Sequence, residues 1–166
     1  MKIYSAPLQG FTEAVWRNVH SAVFGGIDGY FTPFLRYEHG EIRSKDVRDV
    51  KHKSNNVENL LPQIIAATPD EMHPLMELLA NEGYRNVDLN MGCSFPLQAR
   101  KKHGAGLLPH PDMVAELIAA KPDCVLGLAT GSTPEGMYAN LVRGCKEGKI
   151  DFSAVKVHNC RSIKLF

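Results

Sequence analysis

The sequence predicts an α/β fold with a parallel sheet. Within that class it predicts an incomplete TIM-type (β/α)8 barrel, one unit over residues 1–166 with about six βα repeats. Three observations carry the expectation. Short apolar runs alternate with helix-period segments along the chain, the signature of βα units. Gln9-Gly10-Phe11-Thr12 follows the first strand instead of a glycine-rich fingerprint, which argues against a doubly wound dinucleotide-binding sheet. Polar residues stand on strands at Gln63, Asn90 and His158, and a barrel carries its chemistry at the C-terminal ends of strands.

The elements follow in order. Lys2–Pro7 is the first strand. Thr12–Phe24 is a helix with Val15, Val19, Ala22 and Val23 on one face, stopped by Gly25-Gly26. Gly29–Leu35 is the second strand, halted at Pro33. Arg36–Asn59 is charged and longer than ordinary connections. It is either a functional loop or a segment holding a short helix. Leu61–Ala66 is the third strand. Thr68-Pro69-Asp70-Glu71 then opens a helix: Thr68 caps, Pro69 suits the first position and Glu71 completes a capping box. Met72, Leu75, Met76 and Leu79 share a face, and Gly83 closes the helix. Pro74 should bend its first turns or remove a hydrogen bond. Asn86–Met91 is the fourth strand, Gly92–Gly106 a loop and Pro111–Ala120 a helix built on Val114, Leu117 and Ile118. Cys124–Ala129 is the fifth strand. A helix starts at Ser132-Thr133-Pro134-Glu135 and runs to Glu147, and Ala154–His158 is the sixth strand.

Composition limits the function. The 166 residues carry 19 Lys+Arg against 18 Asp+Glu, with 44% hydrophobic and 22% charged. That balance excludes a polybasic coat protein or an acidic disordered tail, but a local basic patch can hide within it. The sequence lacks the roughly 18-residue apolar run of a membrane span. Met1–Pro7 has too short an apolar stretch for a signal peptide. Cys93, Cys124, Cys145 and Cys160 form no CxxC pair and read as reduced thiols of a cytoplasmic protein.

The densest candidate site is Asp88-Leu89-Asn90-Met91-Gly92-Cys93. A strand ends there in a turn that presents an amide and a thiol. The thiol could act as nucleophile or proton donor, or be an ordinary free cysteine on a loop. Arg100-Lys101-Lys102-His103 follows, close enough to attract anions. The stretch with Arg36, Arg43, Lys45, Arg48, Lys51 and Lys53 is interleaved with acids and reads as a solvated face. His158-Asn159-Cys160-Arg161 could meet an anion. A metal site is not expected, because His158 and Cys160 have no matching ligand pair elsewhere.

Together these segments resemble the tRNA-dihydrouridine synthases, flavoproteins that reduce uridines in tRNA. Ala6-Pro7-Leu8-Gln9-Gly10-Phe11-Thr12 resembles the family's APMxGxT opening. Tyr30–Phe34 resembles its second strand, and Pro62-Gln63-Ile64 its third. Asn90-Met91-Gly92-Cys93 with Gly104-Ala105-Gly106-Leu107-Leu108 resembles NxGCP…GxGxLL, and Val157-His158 with Arg161 resembles VHxR. Order and spacing match to about residue 120.

The resemblance implies FMN as cofactor, NADPH as reductant and tRNA as partner. It makes Cys93 the acid that protonates uracil C5. Asn90 would hold the base, Gln63 would contact the flavin, Pro7 and Leu8 would pack under its ring, and His158 would lie near it. Arg100, Lys101 and Lys102 would meet the RNA backbone. Two departures stand out. Ser94 replaces the proline after the cysteine, and Cys124–Gly131 lacks the basic residues of the family's VKMRLG-like strand. A full barrel takes about 250 residues, so this chain is expected to be the N-terminal part of one, able to self-associate through open sheet edges. The alternative is a relative that keeps the signature without the redox chemistry and binds RNA or a protein. A small-molecule flavin barrel, dihydroorotate-like, is a third reading that the basic run and NMGC argue against.

Overall fold

Residues 2–128 and 135–159 are described by a computed structural model. Two units divide the chain. The first holds Met1–Ile64 and His73–Val87, the second Ile65–Met72 and Asp88–Phe166. Among the described residues there are six α-helices and two sheets. The α/β class is as the sequence predicts, and strand pairing is parallel as predicted except in one antiparallel hairpin.

In the first unit β1 (Tyr4–Ser5) leads to α1 (Ala14–Val23) and β2 (Gly29–Phe31). The hairpin β3 (Leu35–Glu38) and β4 (Glu41–Ile42) follows, then α2 (Ser44–Val50), β5 (Leu60–Leu61) and β6 (Gln63–Ile65), whose last residue belongs to the second unit. β1, β2 and β5 pair in parallel, with Tyr4 opposite Gly29 and Tyr30 opposite Leu60. The predicted third strand is thus two strands. Pro62 separates them, since proline has no N–H to give a ladder. Gln63 consequently opens β6 and does not stand at a strand's C-terminal end.

The Arg36–Asn59 stretch is ordered structure: β3, β4, α2 and a 3₁₀ turn at His52–Ser54. His39 and Gly40, both at positive φ, make the two-residue hairpin turn. The α1 face predicted from apolar spacing is the outward one: Val15, Val19 and Val23 are 77%, 57% and 65% exposed. The residue α1 buries is Arg17, at 0%. A polar network, not an apolar stripe, orients this helix.

α2 also buries a carboxyl. Burial pushes Asp46 up from 3.8 to about 6, against the nearby charges of Arg43 and Lys45. The Arg36 N–H and Nε reach its Oδ2 only at 3.3 and 3.4 Å. The folded chain therefore holds this proton more tightly than the unfolded one. Stability from this group is full below the unfolded value and is lost as pH rises through about 6. Asp46→Asn is expected to raise the unfolding free energy at about pH 8 by on the order of 1–2 kcal/mol, and to change it little at about pH 4. Urea titrations of both proteins at the two pH values check this. A loss of stability at the higher pH would refute it.

α3 (Pro69–Asn81) begins in the second unit and passes into the first at His73. It runs through Pro74 unbroken, and Met72, Leu75 and Leu79 are buried as their spacing predicts. The second unit then contains β7 (Asp88–Asn90), α4 (Pro96–Arg100), α5 (Pro111–Ala120), β8 (Val125–Leu128), α6 (Glu135–Lys146) and β9 (Lys156–Asn159). β7, β8 and β9 pair in parallel, with Asn90 opposite Gly127 and Gly127 opposite His158. α5 has the predicted bounds and buries Val114, Leu117 and Ile118. The predicted Gly92–Gly106 loop contains α4 and a 3₁₀ turn at Gly104–Leu107. The helix start at Ser132-Thr133-Pro134 lies outside the described residues, as do Cys160 and Arg161. Among the described residues no helix is long and apolar enough to cross a membrane.

Candidate active site

β7 ends at Asn90, and the chain turns there to present Cys93. The Asn90 side chain builds that turn. Its Oδ1 accepts the backbone N–H of Gly92 at 3.1 Å and of Cys93 at 2.9 Å. An Asn side chain that bonds the backbone two and three residues on is the usual way to fold such a corner. Cys93 is half-buried, and its own carbonyl accepts the Ala105 N–H at 2.8 Å. The thiol-bearing residue is therefore held on both sides.

The glycines after the basic run serve this packing. Gly104 has φ +57, and a Cβ there would lie 2.6 Å from the Cys93 carbonyl oxygen. A Cβ on Gly106 would lie 2.4 Å from the Ala99 carbonyl oxygen. Backbone occupies the Cβ side of both glycines, so Gly104-Ala105-Gly106 packs the Cys93 turn against α4.

Arg100, Lys101 and Lys102 are exposed at the end of α4, with Lys102 at φ +61. His103 does not continue the patch. It is buried at 3% exposure, with Nδ1 2.9 Å from Gln98 Oε1 and Nε2 2.9 Å from Glu71 Oε2. The sequence reading missed this role, because histidine in a basic run looks like one more surface cation. It also missed Phe95, an exposed aromatic two residues after Cys93.

Three other predicted positions lie in the first unit or on its boundary strand. Pro7 is half-buried and Leu8 is 57% exposed, on a turn closed by Thr12. The Leu8 N–H donates to Thr12 Oγ1 at 2.8 Å, and the Leu8 carbonyl accepts the N–H groups of Phe11 and Thr12. Gln63 is buried, and its N–H donates to Thr32 Oγ1 at 3.0 Å. His158 lies on β9 in the second unit. The predicted residues thus form two sets, Pro7, Leu8 and Gln63 in one unit and Asn90, Cys93, Arg100, Lys101, Lys102 and His158 in the other.

The residues near Leu8 fit a flat ring that bears hydrogen-bond donors, as a flavin ring is. Leu8 offers an exposed apolar platform, and in the same turn Gln9 Oε1 is buried with no partner among the described residues. A buried acceptor left unbonded is costly, and a ligand N–H would satisfy it.

The site is a cysteine turn at the end of a strand in an α/β chain, a place where α/β folds carry binding and chemistry. The comparison with known proteins identifies the family. The family described as Dihydrouridine synthase (Dus) matches residues 4–125, and the chain belongs to that family. A probable tRNA-dihydrouridine synthase of Staphylococcus aureus (strain COL) is 30% identical over 118 residues, 69% of this chain and 35% of that protein. A glucosamine-6-phosphate deaminase of Clostridium tetani is 61% identical over 46 residues, 28% of this chain and 19% of that protein. One from Halothermothrix orenii is 60% identical over 47 residues, 28% of this chain and 20% of that protein. The chain therefore spans about a third of the length of the synthase and about a fifth of the deaminases. The family match stops at Val125, the first residue of β8. The Cys124–Gly131 segment without the family's basic residues begins at that limit.

Proposed function

We propose that residues 4–125 are the uridine-reducing segment of an FMN- and NADPH-dependent tRNA-dihydrouridine synthase, the N-terminal part of a TIM-type barrel working in the cytoplasm. The observation that carries this is the Cys93 turn at the end of β7, fixed by Asn90 and Ala105. When bound, FMN, with NADPH as its reductant, would supply the hydride that uracil C6 receives. The Cys93 thiol then gives its proton to C5. Asn90 acts first through the backbone of that turn, beside any contact with the base. Pro7 and Leu8 support the flavin ring, with Gln63 and His158 as further contacts. Arg100, Lys101 and Lys102 add salt-dependent affinity for the RNA backbone without reading sequence. The exposed valines of α1 and the outer edge of β1 support self-association.

A second reading concerns the residues after Val125. Over 46 residues the chain is 61% identical to a deaminase, against 30% to a synthase over 118, and this reading places the deaminase-like stretch after Val125, joined to a synthase segment. The end of the family match at Val125 supports the same boundary. On this reading the lysine absent from Cys124–Gly131 reflects a change of segment and not decay within the family. It favours the alternative that this chain alone binds RNA or protein without turnover.

Visible spectra with added FMN test both readings. A hybrid that continues residues 1–125 with the remainder of the Staphylococcus aureus relative is expected to bind flavin and reduce tRNA. The present chain is expected to bind flavin more weakly than the hybrid. A hybrid that folds, yet takes up no flavin, would overturn the synthase reading. Equal flavin affinity in the two proteins would overturn the second.

A further inference from the structure

We propose that the buried His103 and its partly exposed partner Glu71 form a positioning pair for Cys93. The inference rests on the reading of Cys93 as proton donor, but its geometry lies wholly within the second unit. Three exposed basic residues precede His103, and yet its ring is buried. Both ring nitrogens face oxygens at 2.9 Å, Gln98 Oε1 and Glu71 Oε2. The His103 N–H also donates to the Gln98 carbonyl at 3.0 Å. Ring and backbone thus clip residue 103 to α4.

The next two residues make the contact that matters. Gly104 sits against Cys93 so closely that no side chain fits, and the Ala105 N–H holds the Cys93 carbonyl at 2.8 Å. Where residue 103 is fixed, residues 104 and 105 follow, and with them the backbone of Cys93.

Glu71 anchors the other end. It lies in the first turn of α3, and its Oε2 also accepts the Ala67 N–H at 2.7 Å. Ala66 and Ala67 are buried directly after β6. Burial works against the Glu71 carboxylate, but the hydrogen bonds from His103 and the Ala67 N–H outweigh it and hold the group below the usual carboxylate range. A cap alone would need no buried histidine. Here the same carboxylate caps α3 and ties the Cys93 turn to the end of β6. The pair touches no reacting atom, so its effect is on placement. Removing Glu71 leaves the buried His103 Nε2 without its partner, and removing His103 releases residue 103 from α4, so either change should shift the turn and not merely weaken it.

Site-resolved alkylation of this chain by iodoacetamide tests the inference, with Cys145, which is exposed, as internal reference. Glu71→Gln and His103→Ala are each expected to change the Cys93 rate about 3–10-fold, with Cys145 unchanged. The double variant should match the single ones, because the two residues act as a unit. His103→Gln, which keeps one donor for Glu71, should recover part of the parental rate. An unchanged Cys93 rate would overturn the proposal, and so would a common rise at both thiols, which signals general loosening. The proton-donor reading fails separately, if Cys93→Ala retains turnover.

Discussion

Cys93→Ala is expected to lower uridine reduction by at least about 100-fold in flavin-loaded protein carrying this segment, the usual scale for a lost general acid. Flavin content should stay at the parental level, because the proposed flavin contacts are Pro7, Leu8, Gln63 and His158. The turn itself should survive the change. Its closing bonds run from the Cys93 N–H to Asn90 Oδ1 and from the Ala105 N–H to the Cys93 carbonyl, and neither uses the thiol. Cys93→Ser should be nearly as slow, since a hydroxyl is a much weaker acid than a thiol. Turnover on tRNA, with flavin per chain measured in parallel, separates chemistry from cofactor loss. Parental turnover in Cys93→Ala would remove the acid assignment. A fall in flavin content matching the fall in rate would make Cys93 a structural residue.

How much of this was legible in the sequence depends on how local the cause is. α5 was readable to the residue, because Pro111 opens it and its own spacing gives Val114, Leu117 and Ile118 a buried face. α3 was readable for the same reason. Its cap is a variant of the predicted one: the Glu71 N–H lies 3.4 Å from Thr68 Oγ1, while the Glu71 side chain reaches the Ala67 N–H. Pro62 could have signalled the division of the third strand, and His39-Gly40 the hairpin, since both are short-range rules. The turn at Asn90–Cys93 was visible as a motif, but the work of the Asn90 side chain inside it was not. Arg17 and His103 were illegible for a different reason. Their carboxylate partners each lie 32 residues away, Asp49 from Arg17 and Glu71 from His103, and nothing in local periodicity marks a charged residue as buried.

Arg17→Met is expected to cost about 3–5 kcal/mol, the scale for breaking a buried ion pair by removing one partner. The Arg17 side chain is fully buried, and its donors are spoken for. Nη1 reaches the Thr12 carbonyl at 2.7 Å and Asp49 Oδ2 at 3.0 Å. Nη2 reaches the Asp49 carbonyl at 2.9 Å and Asn55 Oδ1 at 2.8 Å, while Nε reaches Asn55 Oδ1 at 3.2 Å. Methionine fills much of the volume but satisfies none of these acceptors. Asp49 would be left as a mostly buried carboxylate, still holding the Ala14 N–H at 2.6 Å. Asn55 would keep its own bonds to the Asp49 and Lys51 carbonyls, so the loss should fall on the tie between α1 and the 49–55 segment. Arg17→Lys should rescue little, because one ammonium cannot span the fork that five guanidinium donors fill. Urea denaturation should show the midpoint shift, and hydrogen exchange should show faster exchange in the His52–Ser54 turn than in β2. The Leu8–Thr12 turn would loosen too, since Arg17 holds the carbonyl of the residue whose hydroxyl accepts the Leu8 N–H. A parental midpoint in Arg17→Lys would show that charge alone, and not the bonded fork, secures this helix.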